Sequence, residues 1–335
     1  MPANPPMPCL RLVLVASAIV ALLGCEEDAD AGPGVAQQAC SLRVCDAGIV
    51  DSSKPQTPFD SAIGDAGDRD AGPLGRPRDI LWQPDELSTR LDANATDPRP
   101  VPLDARSGPT FEETHVASAR SLDTSLLRAE VDGVAGQVAP LDVLAEAFGR
   151  AGLSPDDAIV VYGQQSDLAS ARLVWTLAYA GHERVHLLDG GFDAWQASDL
   201  PAEAGAMDLP TSDYPDDRVN ARVRVDTQWV QAHLDDPDVV LIDARSQAEY
   251  DAGHVPGALP LPWQDNVDAG RLRPRAELEA RHADIPTDAT VVAYCQTGSR
   301  ASMSWLVLVH LGYPDVRLYD GSMAAWTQDA SRPLE

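Results

Sequence analysis

Lysine is almost absent from this chain. Lys54 is the only one in 335 residues, and every other basic side chain is arginine. An anion bound in a folded domain must therefore meet arginine, histidine or backbone N–H groups. Basic charge as a whole is scarce, with a formal net charge of −27. Nucleic acid needs a basic face, so it is excluded as a partner, and the acidity is read as serving solubility. Cysteine is sparse and unevenly placed. Cys9, Cys25, Cys40 and Cys45 crowd the N-terminus, while Cys295 stands alone far downstream. No Cys/His grouping has zinc spacing, so neither a structural metal nor a cofactor is expected.

What is present centres on Thr290 to Leu306. The β-type run Thr290-Val291-Val292-Ala293-Tyr294 ends in Cys295. Gln296-Thr297-Gly298-Ser299-Arg300 follows, and a helical apolar pattern is predicted over Ala301–Leu311. A loop at a helix N-terminus offers unpaired N–H groups and the positive end of the helix dipole. Such a position favours a thiolate, and Gly298 permits backbone geometries that converge N–H groups on one point. Cys295 is the candidate nucleophile.

The chain has room for about two domains. Residues 1–24 read as a targeting segment. Its apolar run, Leu12 to Leu23, is too short to cross a bilayer, and it meets Leu22-Leu23-Gly24-Cys25. That junction resembles a bacterial lipoprotein signal, which implies cleavage before Cys25 and lipid attachment there. An ordinary secretory signal or an uncleaved anchor are the alternatives. The expected location is the bacterial cell envelope, on a membrane surface. Residues 25–77 are rich in Asp, Ala, Gly and Pro and read as a disordered acidic tether. Within it, Cys40 and Cys45 are spaced to close a small disulfide loop in an oxidising compartment, a redox or metal role being the lesser reading.

Strands alternating with helices over residues 78–205 and again over 221–335 imply an α/β fold, each unit a parallel sheet covered by helices on both faces. Residues 206–220 read as the linker. The units repeat one another. Asp104-Ala105-Arg106 returns as Asp243-Ala244-Arg245, and His115-Val116 as His254-Val255, at an offset of 139. Asp189-Gly190 and Trp195 return as Asp320-Gly321 and Trp326 at an offset of 131. Where the second copy has Ala293-Tyr294-Cys295, the first has Val161-Tyr162-Gly163, and so no nucleophile.

These residues resemble the tandem-domain rhodanese, or thiosulfate sulfurtransferase, family. Asp243 to Ala258 resembles its first signature, Cys295 to Arg300 its active-site loop, and Val316 to Ser322 its C-terminal signature. The resemblance covers 78–335 in outline and is most specific over 239–335. It implies two rhodanese-like domains, the first non-catalytic. Met323 stands where an aromatic residue is more usual. By resemblance, Arg245 points into the site and binds the sulfonate end of the donor, an ion pair with Glu249 being the alternative. Arg300 is a second anion contact, and Gln296, Thr297, Gly298 and Ser299 line the substrate. Asp243 and Glu249 are expected to be structural, and His254 to serve the turn before Pro256-Gly257.

The implied reaction takes sulfur from thiosulfate onto Cys295 as a persulfide, then passes it to cyanide, a thiol or a thioredoxin-like protein. The loop from Cys295 to Arg300 is one residue shorter than in cysteine phosphatases of related fold, which argues against phosphatase chemistry. Arg300 favours thiosulfate over 3-mercaptopyruvate, whose specific relatives lack a charge there. A non-enzymatic sulfur-relay or binding lipoprotein is the reading from another class. A monomer is expected.

Overall fold

The computed structural model describes residues 80–92, 99–206 and 209–335. The targeting segment, the tether, Cys25, Cys40 and Cys45 lie outside the described residues.

In the first lobe the strands are β1 (Leu81–Trp82), β2 (Val101–Asp104), β3 (His115–Val116), β4 (Arg120–Ser121), β5 (Arg128–Val131), β6 (Val134–Val138), β7 (Ile159–Tyr162), β8 (Val185–Leu188) and β9 (Ala202–Glu203). Its helices are α1 (Pro84–Leu91), α2 (Gly108–Glu113), α3 (Leu141–Arg150), α4 (Leu168–Tyr179) and α5 (Gly191–Ala197). The second lobe has β10 (Arg224–Val225), β11 (Val239–Asp243), β12 (Leu259–Pro260), β13 (Val267–Asp268), β14 (Arg271–Leu272), β15 (Thr290–Tyr294) and β16 (Asp315–Tyr319). Its helices are α6 (Thr227–Ala232), α7 (Gln247–Asp251), α8 (Arg275–Arg281), α9 (Ser299–Leu311) and α10 (Ser322–Trp326).

Each lobe has a five-stranded sheet with all strands parallel, in the order β1-β8-β7-β2-β4 and β10-β16-β15-β11-β12. The repeated strand order is the structural form of the sequence repeat. The central strands, Ile159-Val160-Val161-Tyr162 and Val291-Val292-Ala293-Tyr294, are buried throughout, as strands covered on both faces must be. Asp104 pairs with Tyr162 across one sheet and Asp243 with Tyr294 across the other. Cys295 therefore emerges at the carboxyl end of a central strand, where open α/β sheets place their ligand crevices.

The helix after that strand starts at Ser299, two residues before the predicted Ala301, because Gly298 itself is the N-cap. Ala301 to Val309 are all buried on α9, as are Ser170 to Tyr179 on α4. A helix buried all round needs apolar neighbours on both sides. Here each packs on its own sheet and on the other helix, and residues of both lobes form one continuous core.

Two hairpins escape the sequence reading. β5–β6 and β13–β14 turn on Asp132-Gly133 and Ala269-Gly270, and all four turn residues have positive φ. That is the turn that matches strand twist, and Asp-Gly between valines is its sequence signature. The hairpins are exchanged between lobes. On β6, the Val138 N–H donates to Asp320 Oδ2 at 2.8 Å; on β14, the Leu272 N–H donates to Asp189 Oδ1 at 3.0 Å. Each lobe thus covers the strand-end loop of the other.

The linker is anchored at Tyr214. Tyr214 is buried against Phe148, and its hydroxyl lies 2.9 Å from His182 Nδ1. Among the described residues no helix is long and apolar enough to cross a membrane.

Candidate active site

Cys295 is 1% exposed and closes β15. Its N–H donates to Ser322 Oγ at 3.1 Å, and its carbonyl accepts the Met323 N–H at 3.1 Å. The Gln296 carbonyl accepts the Ala324 N–H at 3.0 Å. The strand end is thus tied to the start of α10, with Met323 buried beside it.

Gly298 turns the chain into α9 at φ +83°. A side chain there would be strained by conformation and by contact. Its Cβ would fall 2.8 Å from both Arg172 Nη1 and Asp320 Oδ1. These two groups form a buried ion pair across the lobes, Arg172 Nη2 lying 2.7 Å from Asp320 Oδ1. Arg224 Nε approaches the other carboxylate oxygen at 3.5 Å. The floor of the loop is therefore a charge cluster built from both lobes, which no local sequence pattern announced.

Arg300 holds Glu249 in a fork, Nη1 to Oε2 at 2.7 Å and Nη2 to Oε1 at 2.9 Å. This pairing draws the Glu249 carboxyl down to about 2, against a smaller opposing effect of burial and with help from Ser246. Arg300 is raised in turn, first by Glu249, and the nearby Cys295 adds to it. Glu249 also completes a capping box with Ser246 at the start of α7.

Arg245 is paired with Asp243. Its Nε bonds Asp243 at 3.0 Å, and its Nη2 bonds Asp243 Oδ2 at 2.6 Å and the Gly253 carbonyl at 2.8 Å. Burial works against its charge, but Asp243 outweighs this and raises it. The alternative pairing of Arg245 with Glu249 does not form, because Arg300 takes Glu249. The two arginines expected to meet the donor anion thus both carry carboxylate partners. His254 sits in its turn, stacked on Tyr250 at 3.6 Å, with Nε2 3.6 Å from Glu335 Oε2.

Sequence reasoning missed Arg128. From β5 of the first lobe its Nη1 donates to Ser299 Oγ at 2.7 Å, placing a guanidinium beside the Cys295 loop. Gly136 on β6 faces Thr297, so the exchanged hairpin borders the same loop. The Asp132-Gly133 turn would have revealed the hairpin but not its destination.

The first lobe shows what the corresponding loop becomes without a nucleophile. A side chain at Gly163 would land on the Asp167 carboxylate. Asp167 Oδ2 accepts the Gln164 N–H at 3.1 Å, and Oδ1 accepts the Ser170 N–H at 2.9 Å. The loop's anion position is filled by a carboxylate of its own chain. In the second lobe Gly298 occupies the N-cap, so no such carboxylate intervenes beside Cys295. Among the described residues no group of three or more His, Cys, Asp or Glu side chains is placed to hold a metal ion.

The family model of the rhodanese-like domain matches twice, over residues 83–198 and 226–329. The thiosulfate sulfurtransferase of Corynebacterium glutamicum is 36% identical over 238 residues, 65% of this chain and 76% of that protein. The thiosulfate sulfurtransferase of Azotobacter vinelandii is 31% identical over 274 residues, 76% of this chain and 97% of that one. The crystal structure of the Escherichia coli 3-mercaptopyruvate sulfotransferase superposes with a TM-score of 0.65 at 28% identity, covering 73% of this chain and 99% of that one. With both copies matched and both sheets wound in one order, the chain belongs to the rhodanese family of sulfurtransferases, as a tandem pair of rhodanese-like domains.

Proposed function

We propose that the protein is a thiosulfate sulfurtransferase with Cys295 as its nucleophile. The observation that carries this reading is the contrast between lobes. The first-lobe loop is filled by Asp167, whereas the second presents a thiol at the same strand end with arginines around it. In the first half-reaction the Cys295 thiolate attacks the outer sulfur of thiosulfate. A sulfur–sulfur bond to Cys295 forms, the sulfur–sulfur bond of thiosulfate breaks, and its electron pair leaves with sulfite. In the second, cyanide or a thiolate attacks the outer persulfide sulfur and the Cys295 thiolate returns. Loop N–H groups over 296–300 and the α9 dipole favour the persulfide anion.

Thiosulfate is the proposed donor because the two relatives described above are thiosulfate sulfurtransferases. The likeness to the 3-mercaptopyruvate enzyme supports the second reading. Steady-state assays with cyanide as acceptor decide between them. The specificity constant is expected to be higher for thiosulfate, measured as sulfite release, than for 3-mercaptopyruvate, measured as pyruvate; the opposite ranking would replace the first reading with the second.

The proposed location is the cell envelope, carried by the apolar run that ends at Leu22-Leu23-Gly24-Cys25. In a bacterial host grown with a labelled fatty acid, the full-length chain should take up label and the Cys25→Ala variant should not. Equal labelling of the two would refute the anchor.

A further inference from the structure

Arginines crowd the Cys295 loop, and most of them are already neutralised. Arg300 is forked on Glu249, Arg245 is held by Asp243, and Arg172 and Arg224 share Asp320. Arg128 differs. It is partly buried, and its hydrogen bond is to a neutral group, the Ser299 hydroxyl at the first residue of α9. Among the described residues it has no carboxylate ion pair. Burial and the charge of Arg172 both weaken its hold on its proton, while Asp320 and Cys295 strengthen it. Cys295 thus lies within electrostatic reach. Its remaining donors are not among the buried unpaired atoms, so they face solvent beside the loop and are available to an arriving anion.

Each exchanged hairpin carries an arginine. On the silent side, β14 sends Arg271 to Asp189 Oδ2 at 3.3 Å, a carboxylate. On the Cys295 side, β5 sends Arg128 to a hydroxyl. The two arginines stand at different hairpin positions, Arg128 where β13 has Val267 and Arg271 where β6 has Gln137, and they end on a hydroxyl and a carboxylate respectively.

We infer that Arg128 is a substrate-binding residue, which takes the oxyanion end of the sulfur donor while the outer sulfur faces Cys295. The lobe without a nucleophile thereby supplies the donor's cation, and neither lobe has a complete site alone. This rests on Cys295 being the sulfur-transfer nucleophile.

The test compares the wild-type chain with Arg128→Gln and Arg128→Lys, each checked by thermal melting. Two quantities are read: kcat and KM for thiosulfate, and the rates at which Cys295 is alkylated by iodoacetate, an anion, and by iodoacetamide, which is neutral. Loss of a charged hydrogen bond is expected to raise the thiosulfate KM about tenfold in Arg128→Gln with little change in kcat. The iodoacetate to iodoacetamide rate ratio is expected to fall alongside it. If Arg128 merely braces Ser299, both reagents slow equally and the ratio stays at its wild-type value, which would overturn the inference. Should Arg128→Gln not fold, Arg128→Lys decides, since loss of the planar fork raises the thiosulfate KM severalfold only if the guanidinium holds the oxyanion. A wild-type chain without turnover dependent on Cys295 would overturn the sulfurtransferase reading instead, while the alkylation ratio still reports on Arg128.

Discussion

Cys295→Ser is expected to abolish sulfur transfer, with a fall in turnover of about 10⁴-fold or more, the size seen when a nucleophile is removed from an otherwise intact site. The substitution changes one buried atom and little else. The backbone bonds that tie residue 295 to Ser322 and Met323 do not involve the side chain, so the loop is expected to keep its form. A serine hydroxyl at neutral pH is neither anionic nor thiophilic, so the attack on the outer sulfur of thiosulfate fails at its first step. The check has two parts. Thiocyanate production from thiosulfate and cyanide should vanish. After incubation with thiosulfate, the wild-type chain should gain the mass of one sulfur atom and the variant should not. Cys295 is the free cysteine among the described residues, so a mass gain in the variant would place the acceptor in the N-terminal segment and sink the assignment.

The reach of the sequence can be traced residue by residue. The sheet was legible because its central strands are continuous β-branched runs, and the duplication was legible because Asp-Ala-Arg and Asp-Gly recur at fixed offsets. Cys295 was legible because a nucleophile at a strand-to-helix turn is a local pattern. The fate of the arginines was not. Whether Arg245 meets substrate or Asp243, and whether Glu249 belongs to Arg245 or Arg300, depends on side-chain directions at the ends of different elements. Arg128 was the hardest to see. It lies far from Cys295 in sequence and arrives on a hairpin exchanged between lobes, so only tertiary structure brings the two together. The all-round burial of α4 and α9 has the same origin: their apolar residues follow no single helical face, because each helix has two partners.

Asp320→Ala is expected to destabilise the protein by about 3–5 kcal/mol, the cost of stranding a buried charge. Asp320 is fully buried and Arg172 is 2% exposed. Their 2.7 Å approach is poorly aligned for a hydrogen bond, so charge attraction rather than a directed bond holds them. Removing the carboxylate leaves Arg172 without its counter-charge in the shared core and leaves the Val138 N–H without its acceptor. The repeat supplies an internal comparison. Asp189 occupies the equivalent position in the first lobe and accepts the equivalent hairpin N–H, but its arginine, Arg271, is 41% exposed. Water can take over solvation of Arg271, so Asp189→Ala should cost only about 1–3 kcal/mol. Urea unfolding of the two variants measures the difference, and equal midpoints would refute it. Activity should divide the pair more sharply still. Asp320 lies directly beneath Gly298, and its loss frees the turn that aims Cys295, whereas Asp189 supports a loop already filled by Asp167. Under conditions where both variants remain folded, Asp189→Ala is expected to keep near wild-type turnover with thiosulfate and Asp320→Ala to lose most of it. That outcome would assign the buried charge cluster between the lobes to the catalytic loop as well as to the fold.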